Sequence, residues 1–393
     1  MPDWLALAAL AVGCWGAFCT LLALWAERLP VGDEVYEVTT DDGWTLPLHR
    51  FLPAEGATPI AYPLVLAHGL NMNRGCWALG SHASLIEALT ARGHDVFTFE
   101  YRGTSGTRPG NSKRWDYSID DHVDRDIPAL LGEIERQTGS SEVHWVGHSM
   151  GGMLLYLYAG RYGSQRIRRA VTLGSPIRFD LPRGIPRGLA KGVARQLYSW
   201  LRTPLRLGAF FTLPVSVGLR RLLLRRVLNP DHFTAREVTA LCTSSLEDVS
   251  GPIHGVFLDL AASSKHLCPP KDSAVPGLAP GALEALRSPL LVISGLVDGV
   301  APPRVVEPAF EHSGSEQAAY ICLGSPGQPT TPTYPPFGHC DLASGAASIA
   351  EVLPLIARWL EGPSPSADRA NLSRGLQASA EAPPTASTVG ATQ

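Results

Sequence analysis

The stretch Val143–Gly160, VHWVGHSMGGMLLYLYAG, sets a serine among glycines where one local pattern gives way to another. Val143, Trp145 and Val146 are β-branched or aromatic and suit a buried strand, while Met153 to Ala159 suit a helix. Glycines at 147, 151 and 152 leave room for a backbone bent too tightly for side chains. A G-x-S-x-G segment between strand and helix presents its hydroxyl on a sharp turn, which makes Ser149 a candidate nucleophile. A serine hydroxyl is weak until a base takes its proton, and that base needs a third group to orient it. The rest of the chain must supply both.

Outward from this turn, short apolar runs alternate with helical patterns. EVYEVTTDDGWTLPLHRFLP predicts a hairpin around Asp41-Asp42-Gly43, and YPLVLAHG a buried strand ending at His68-Gly69. HASLIEALTARGH is a helix stopped near Gly93, and DVFTFEYRG the next strand. SIDDHVDRDIPALLGEIERQTG places Ile119, Val123, Ile127, Leu130, Leu131 and Ile134 on one helical face, with a break expected at Pro128. RRAVTLGSP, SPLLVISG and AAYICLG are further strands, and SGAASIAEVLPLIARWLE closes the pattern as an amphipathic helix. Strand–helix–strand repetition predicts an α/β fold: a largely parallel sheet covered on both faces.

In such sheets functional groups gather at the carboxyl ends of strands. LLVISGLVDGVAPP places Asp298 just beyond one strand, and YPPFGHCDL places His339 between the last strand and the last helix. The order Ser149, Asp298, His339 is nucleophile, acid, base, unlike the chymotrypsin or subtilisin orders. His339 is the candidate proton acceptor and Asp298 its orienting carboxylate, with Asp272 or Asp259 as substitutes. The backbone N–H groups of Met150 and Leu70 are the expected oxyanion donors. Asn71, Trp77 and His148 are expected to line the substrate pocket, Asn73 beside them; His68 and His148 shape loops, and Glu100 and Arg102 tie loops together. Asp341 reads as a helix cap and Cys340 as packing.

These motifs together resemble the α/β-hydrolases. VTTDDGWTLPLHR, LVLAHGL, YRG, WDYSIDDHVDRDIPALL and VGHSMGG are similar, in order and spacing, to the acid lipase group. FGHCDL is similar to the final histidine motif of acid lipases and of polyhydroxyalkanoate synthase-like proteins. The resemblance covers residues 35–175 and 288–361. Met150 departs from it, since acid lipases usually carry Gln there and monoacylglycerol lipase-like esterases more often Met. Ser149 stands where the synthases have cysteine, and dehalogenases and epoxide hydrolases aspartate. The resemblance therefore implies ester or thioester hydrolysis through an acyl-enzyme, with an acyltransferase or thioesterase on the same residues as alternatives. A different class, a membrane-tethered binding protein that kept the fold without catalysis, stays open too.

At 393 residues and 45% hydrophobic content the chain suffices for one large domain with an insertion. Only four of its 33 basic residues are lysines, the usage of a GC-rich bacterial genome. Seven scattered cysteines form no CxxC pair, and no metal or organic cofactor is implied. Residues 4–26 carry no charge and, as a helix about 35 Å long, would span a hydrocarbon core of about 30 Å. They are expected to be an uncleaved anchor, with Arg28 a vote for a cytoplasmic catalytic domain. Residues 31–361 form the expected hydrolase domain, and 362–393, rich in Pro, Ser, Ala and Thr, a disordered tail. Between 176 and 275 the regular pattern fails. Residues 178–226 hold eleven Arg or Lys and one acid, Asp180, among large apolar residues. This predicts an inserted helical cap, a lid that meets anionic membrane headgroups. The expected partners are thus a lipid or small-molecule ester and a membrane, with no nucleic acid and an unassigned oligomeric state.

Overall fold

The computed structural model describes residues 3–25, 29–79, 84–110, 114–181, 184–199, 224–324 and 336–362, with a few positions between 205 and 219. The expected tail beyond Gly362, Arg28, and much of the basic stretch 200–223 lie outside the described residues.

In chain order the elements are helix α1 (Asp3–Trp25), strands β1 (Glu34–Thr39), β2 (Thr45–Phe51) and β3 (Leu64–Ala67), helix α2 (Leu85–Thr90) and strand β4 (Val96–Phe99). Helix α3 (Ile127–Thr138), strand β5 (Val143–His148), helix α4 (Met150–Tyr162) and strand β6 (Ile167–Leu173) follow. After them come helices α5 (Arg187–Ser199) and α6 (Gly251–Ser263), strand β7 (Leu290–Gly295), helix α7 (Pro303–Val306), strand β8 (Ala318–Leu323) and helix α8 (Leu353–Glu361).

The eight strands form one sheet in the order β1-β2-β4-β3-β5-β6-β7-β8. The Asp41–Gly43 turn makes β1 and β2 antiparallel, β2 is antiparallel to β4, and the other pairs are parallel. Every residue of β3, β4, β5 and β7 is buried, as expected of parallel strands covered on both faces. The chain steps from β3 to β4 on one side and then returns to β5 on the other. Ser149 follows β5 directly, so it sits at the reversal, where open α/β sheets hold their ligands.

Helix boundaries follow local chemistry. Ser84 and Glu87 form a reciprocal capping box at the start of α2. The face Ile119–Ile134 is buried as the periodicity predicts, and the helical backbone runs on without the expected break, changing to a π-turn over His122–Asp126 ahead of α3. Pro128 follows that π-turn directly, and the wider turn accommodates a residue with no N–H to donate. The final helix repeats this arrangement, with a π-turn over Ser348–Val352 before Pro354 opens α8.

Between β6 and β7 the chain packs α5 against α6, burying Ala190 and Ala194 of the former and Ile253 and Leu260 of the latter. Asn73 clasps this region to the loop after β3, donating to Ser244 O and Glu247 Oε1, both at 2.8 Å. On the other flank, buried Arg102 binds Asp126 (Nε–Oδ1 2.9 Å) and Asp42 (Nη1–Oδ2 2.8 Å), joining the hairpin turn to the start of α3. Helix α1 forms over the uncharged stretch and leaves Val12, Phe18, Leu21 and Leu24 exposed. Among the described residues, no helix is long and apolar enough to cross a membrane; the side chains of the first turns of α1 lie outside the description.

The sheet and α4 meet so closely that a Cβ on Gly151 would lie 2.6 Å from the Ala67 carbonyl carbon. Gly151→Ala is expected to destabilise the protein by about 1–3 kcal/mol. Thermal unfolding followed by circular dichroism should show a lower midpoint than for Gly132→Ala, where an added Cβ meets nothing within 4 Å.

Candidate active site

Ser149 occupies φ 51°, ψ −115°, a conformation that L residues rarely adopt. Its N–H donates to Leu173 O at 2.8 Å, and its own carbonyl accepts from Gly152 and Met153, so β6 and α4 hold the turn from both sides. A Cβ on Gly147 would come within 2.5 Å of Gly152 N. The strand and the helix it feeds are therefore in backbone contact, and the serine at the vertex takes up the strain, of order 1–3 kcal/mol. Asn71, in the loop after β3, is a second residue with positive φ, at 60°.

His339 and Asp298 come together from two different loops, with Nδ1 2.7 Å from Oδ2. The other carboxylate oxygen of Asp298 accepts the N–H of Val300 at 2.8 Å and of Ala301 at 2.7 Å. Burial alone would push this carboxyl up. The adjacent imidazole and the two amides outweigh it and hold Asp298 below the usual carboxylate range. With Nδ1–H donated to Asp298, the acceptor nitrogen of the neutral imidazole tautomer is Nε2, the one placed to meet a hydroxyl proton.

The loop carrying His339 is anchored behind the ring. His148 donates from Nε2 to His339 O at 3.1 Å, and the two rings lie 4.7 Å apart. Burial first, then the neighbouring His339, brings His148 down to about 3, so it is neutral at neutral pH. Asp341 is wholly buried and accepts the N–H groups of Gly338 and of Asn229, the latter at 2.9 Å. It ties the histidine loop to the segment before β7 rather than capping a helix end.

Ser149, His148 and His339 line a cavity of about 420 Å³, a volume typical of small-ligand sites. Leu70, Asn71 and Met150 also line it, but Trp77, expected there, does not: it is fully buried in the core, its ring edge-on to His148 at 6.4 Å. Trp77 therefore supports the site from behind. Asn71 is not free to meet a ligand through Oδ1, which accepts from His254 Nε2 at 2.7 Å. Half of the apolar lining, including Phe179, Leu241, Leu246 and Phe257, comes from the segment between β6 and β7. The sequence named none of these, because no periodic pattern there marks one face as inward.

His68 is buried and donates from Nδ1 to Gly69 O at 3.0 Å; burial brings its ring down to about 3. In a trans peptide the carbonyl and the next N–H point in opposite directions, so this bond turns the Leu70 N–H away from His68. Met150 opens α4, and the N–H at a helix start has no acceptor within its own helix.

A family model described as the alpha/beta hydrolase fold matches residues 62–311, and the chain belongs to that family. It is 34% identical over 125 residues to Lipase 1 of Drosophila melanogaster, covering 30% of this chain and 27% of that one. It is 33% identical over 131 residues to gastric triacylglycerol lipase of Mus musculus, covering 30% and 32%. The chain thus spans about a third of the length of the curated relatives it matches. Among solved structures, a monoacylglycerol lipase of Paleococcus ferrophilus superposes with a TM-score of 0.53 at 18% identity, covering 83% of this chain and 98% of that one. A thermophilic esterase of Thermogutta terrifontis gives 0.51 at 17%, covering 84% and 98%.

Two outcomes follow. Ser149→Gly is expected to unfold at a higher temperature than Ser149→Ala, because glycine takes a positive φ without strain. The folded-state pKa of Asp298 is depressed, so its contribution to stability is complete above the unfolded value of about 3.9. That contribution is lost as pH falls through the lower folded value. Asp298→Asn should therefore flatten the pH dependence of urea-unfolding stability below about pH 4 relative to wild type.

Proposed function

We propose that the protein is a serine hydrolase that cleaves carboxylic esters of lipophilic acyl chains through an acyl-enzyme on Ser149. The observation that carries this is the His339–Asp298 pair at 2.7 Å, opening on the same apolar cavity as a serine at φ 51°. His339 takes the Ser149 proton as the oxygen attacks the acyl carbon and later gives it to the leaving alcohol. Asp298 holds the imidazole tautomer and stabilises the imidazolium. The N–H groups of Leu70 and Met150 receive the oxyanion, and losing one such donor typically costs about 3–4 kcal/mol of transition-state stabilisation. Water then attacks the acyl-enzyme and regenerates the serine. An acyltransferase differs only in using an alcohol at this step.

The acyl chain lies along Met153, Leu241, Leu246 and Phe257, under the segment between β6 and β7 acting as a lid. Helix α5 supports a membrane contact for that lid. Leu189 and Val193, with Ile185 just ahead of the helix, are exposed on one flank of its buried Ala190–Ala194 stripe, and Arg187, Lys191 and Arg195 are exposed on the other. The exposed apolar residues of α1 support the N-terminal segment as a tether to the same surface, and Arg28 after it favours a catalytic domain on the cytoplasmic side.

Fluorophosphonate labelling tests the nucleophile. Wild type is expected to label, Ser149→Ala not to, and turnover of a medium-chain p-nitrophenyl ester to fall about 10⁴-fold or more in Ser149→Ala and His339→Ala. No labelling of wild type would favour a binding protein. Resistance to alkaline carbonate extraction tests the tether, and thiol labelling from outside intact cells would overturn the cytoplasmic assignment.

A further inference from the structure

A second cavity, of about 680 Å³, lies beside the acyl pocket, and Phe179 lines both. Its lining includes Arg178, Arg187, Lys265 and Arg304 but only one carboxylate, Asp180. Asp180 already pairs with Arg304, at 2.9 Å to Nε and 2.8 Å to Nη2, and Lys265 Nζ stands 3.6 Å from Asp259. Among the described residues, two of the four lining cations are so paired, and Arg178 and Arg187 leave a surplus of two positive charges.

Three chain segments are clamped together to produce this convergence. The Ile177 N–H donates to Val305 O at 3.0 Å, and the Leu267 N–H donates to Ile177 O at 2.7 Å. Arg178 forms a bridge with His266, so the strand extension after β6, the start of α7 and the 266–267 segment bring Arg178, Arg304 and Lys265 to one place. A solvated patch of arginines needs no such clamp. Moreover, the Nε–H of Arg178 is shielded from solvent and meets no acceptor among the described residues. A guanidinium is the group whose planar fork matches a phosphate.

The cavity is also near the reacting atoms. A Cβ on Gly174 would lie 3.1 Å from His339 Nδ1 and 3.3 Å from Asp298 Oδ2. Arg178 is four residues further along the chain, at most about 14 Å away when fully extended. A short polyol spacer together with an arginine side chain bridges that span.

We propose that this basic cavity is a subsite for a phosphate group carried by the substrate, so that the preferred substrate is a phosphate-bearing carboxylic ester. The phosphate is held and not cleaved; the scissile bond remains the acyl ester at Ser149. This rests on the ester-hydrolase reading above and names its substrate class.

The test compares 1-decanoylglycerol with 1-decanoylglycerol 3-phosphate on the full-length chain, both below their micelle concentrations so that surface charge plays no part. Wild type should show kcat/KM about 10-fold or more higher for the phosphate ester, the gain expected of one charge-assisted contact. Arg178→Gln and Arg304→Gln should each lower kcat/KM for the phosphate ester about 10-fold more than for the neutral ester. Arg108→Gln, which removes an equal charge from the exposed pair with Glu37 on β1, should keep the wild-type ratio. A ratio near one in wild type, or a ratio that survives Arg178→Gln/Arg304→Gln, overturns the proposal. So does inhibition by inorganic phosphate without any preference between the esters, which would assign the cavity to free phosphate. Calorimetric binding of both esters to Ser149→Ala separates the two readings. Preferential binding without turnover in wild type would remove the hydrolase reading and keep the subsite; turnover without preference would remove the subsite alone.

Discussion

The backbone contact between Gly151 and the carbonyl end of β3 is the constraint on which the rest of the site depends. Because α4 starts against the sheet rather than beside it, the turn out of β5 has no room to relax, and Ser149 is driven to a positive φ. The same closeness carries the Met150 amide to the tip of the sheet, next to the loop holding Leu70. One steric relation thus sets the attitude of the proposed nucleophile and of one proposed oxyanion donor. Main-chain contact cannot be adjusted by a change of rotamer, so the geometry is present before a substrate arrives.

The histidine is placed by a different principle. His339 lies on a loop, and no strand ladder holds it. Its position comes from polar groups out of solvent: Asp298 at the ring, the His148 donor at its carbonyl, and the Asp341 carboxylate gathering Gly338 and Asn229. Buried polar groups must be paired, and pairing one residue with several loops is a strong way to order them. Asp341 also links that loop to the segment between β6 and β7, so the wall of the acyl cavity and the proposed base share an anchor. The loop after β3 is bound to the same segment through Asn73 and Glu247.

That segment does more than close the fold. Its apolar side chains meet over Ser149, while its basic ones meet next door, with Phe179 as the partition between them. An apolar chamber joined to a basic one matches a molecule with a hydrocarbon chain at one end and an anionic group at the other. On α5 the exposed apolar residues Leu189 and Val193 and the exposed basic residues Arg187, Lys191 and Arg195 lie on opposite flanks of the buried Ala190 and Ala194.

Sequence alone determined the sheet, its strands, the elbow and the candidate trio, because each is written in local pattern: continuous apolar runs, glycines at fixed offsets, and polar residues just past strand ends. Pro128 signalled a break, but the π-turn ahead of it was decided by how α3 packs on the sheet. Trp77 looked like pocket lining because it follows the oxyanion loop, yet the 3₁₀ turn over Arg74–Trp77 rotates it into the core. The acyl-cavity wall, the His254 contact to Asn71 and the basic chamber were decided only by tertiary structure. Each joins residues from distant parts of the chain, and pairwise contact at such separations leaves no periodic trace in a single sequence.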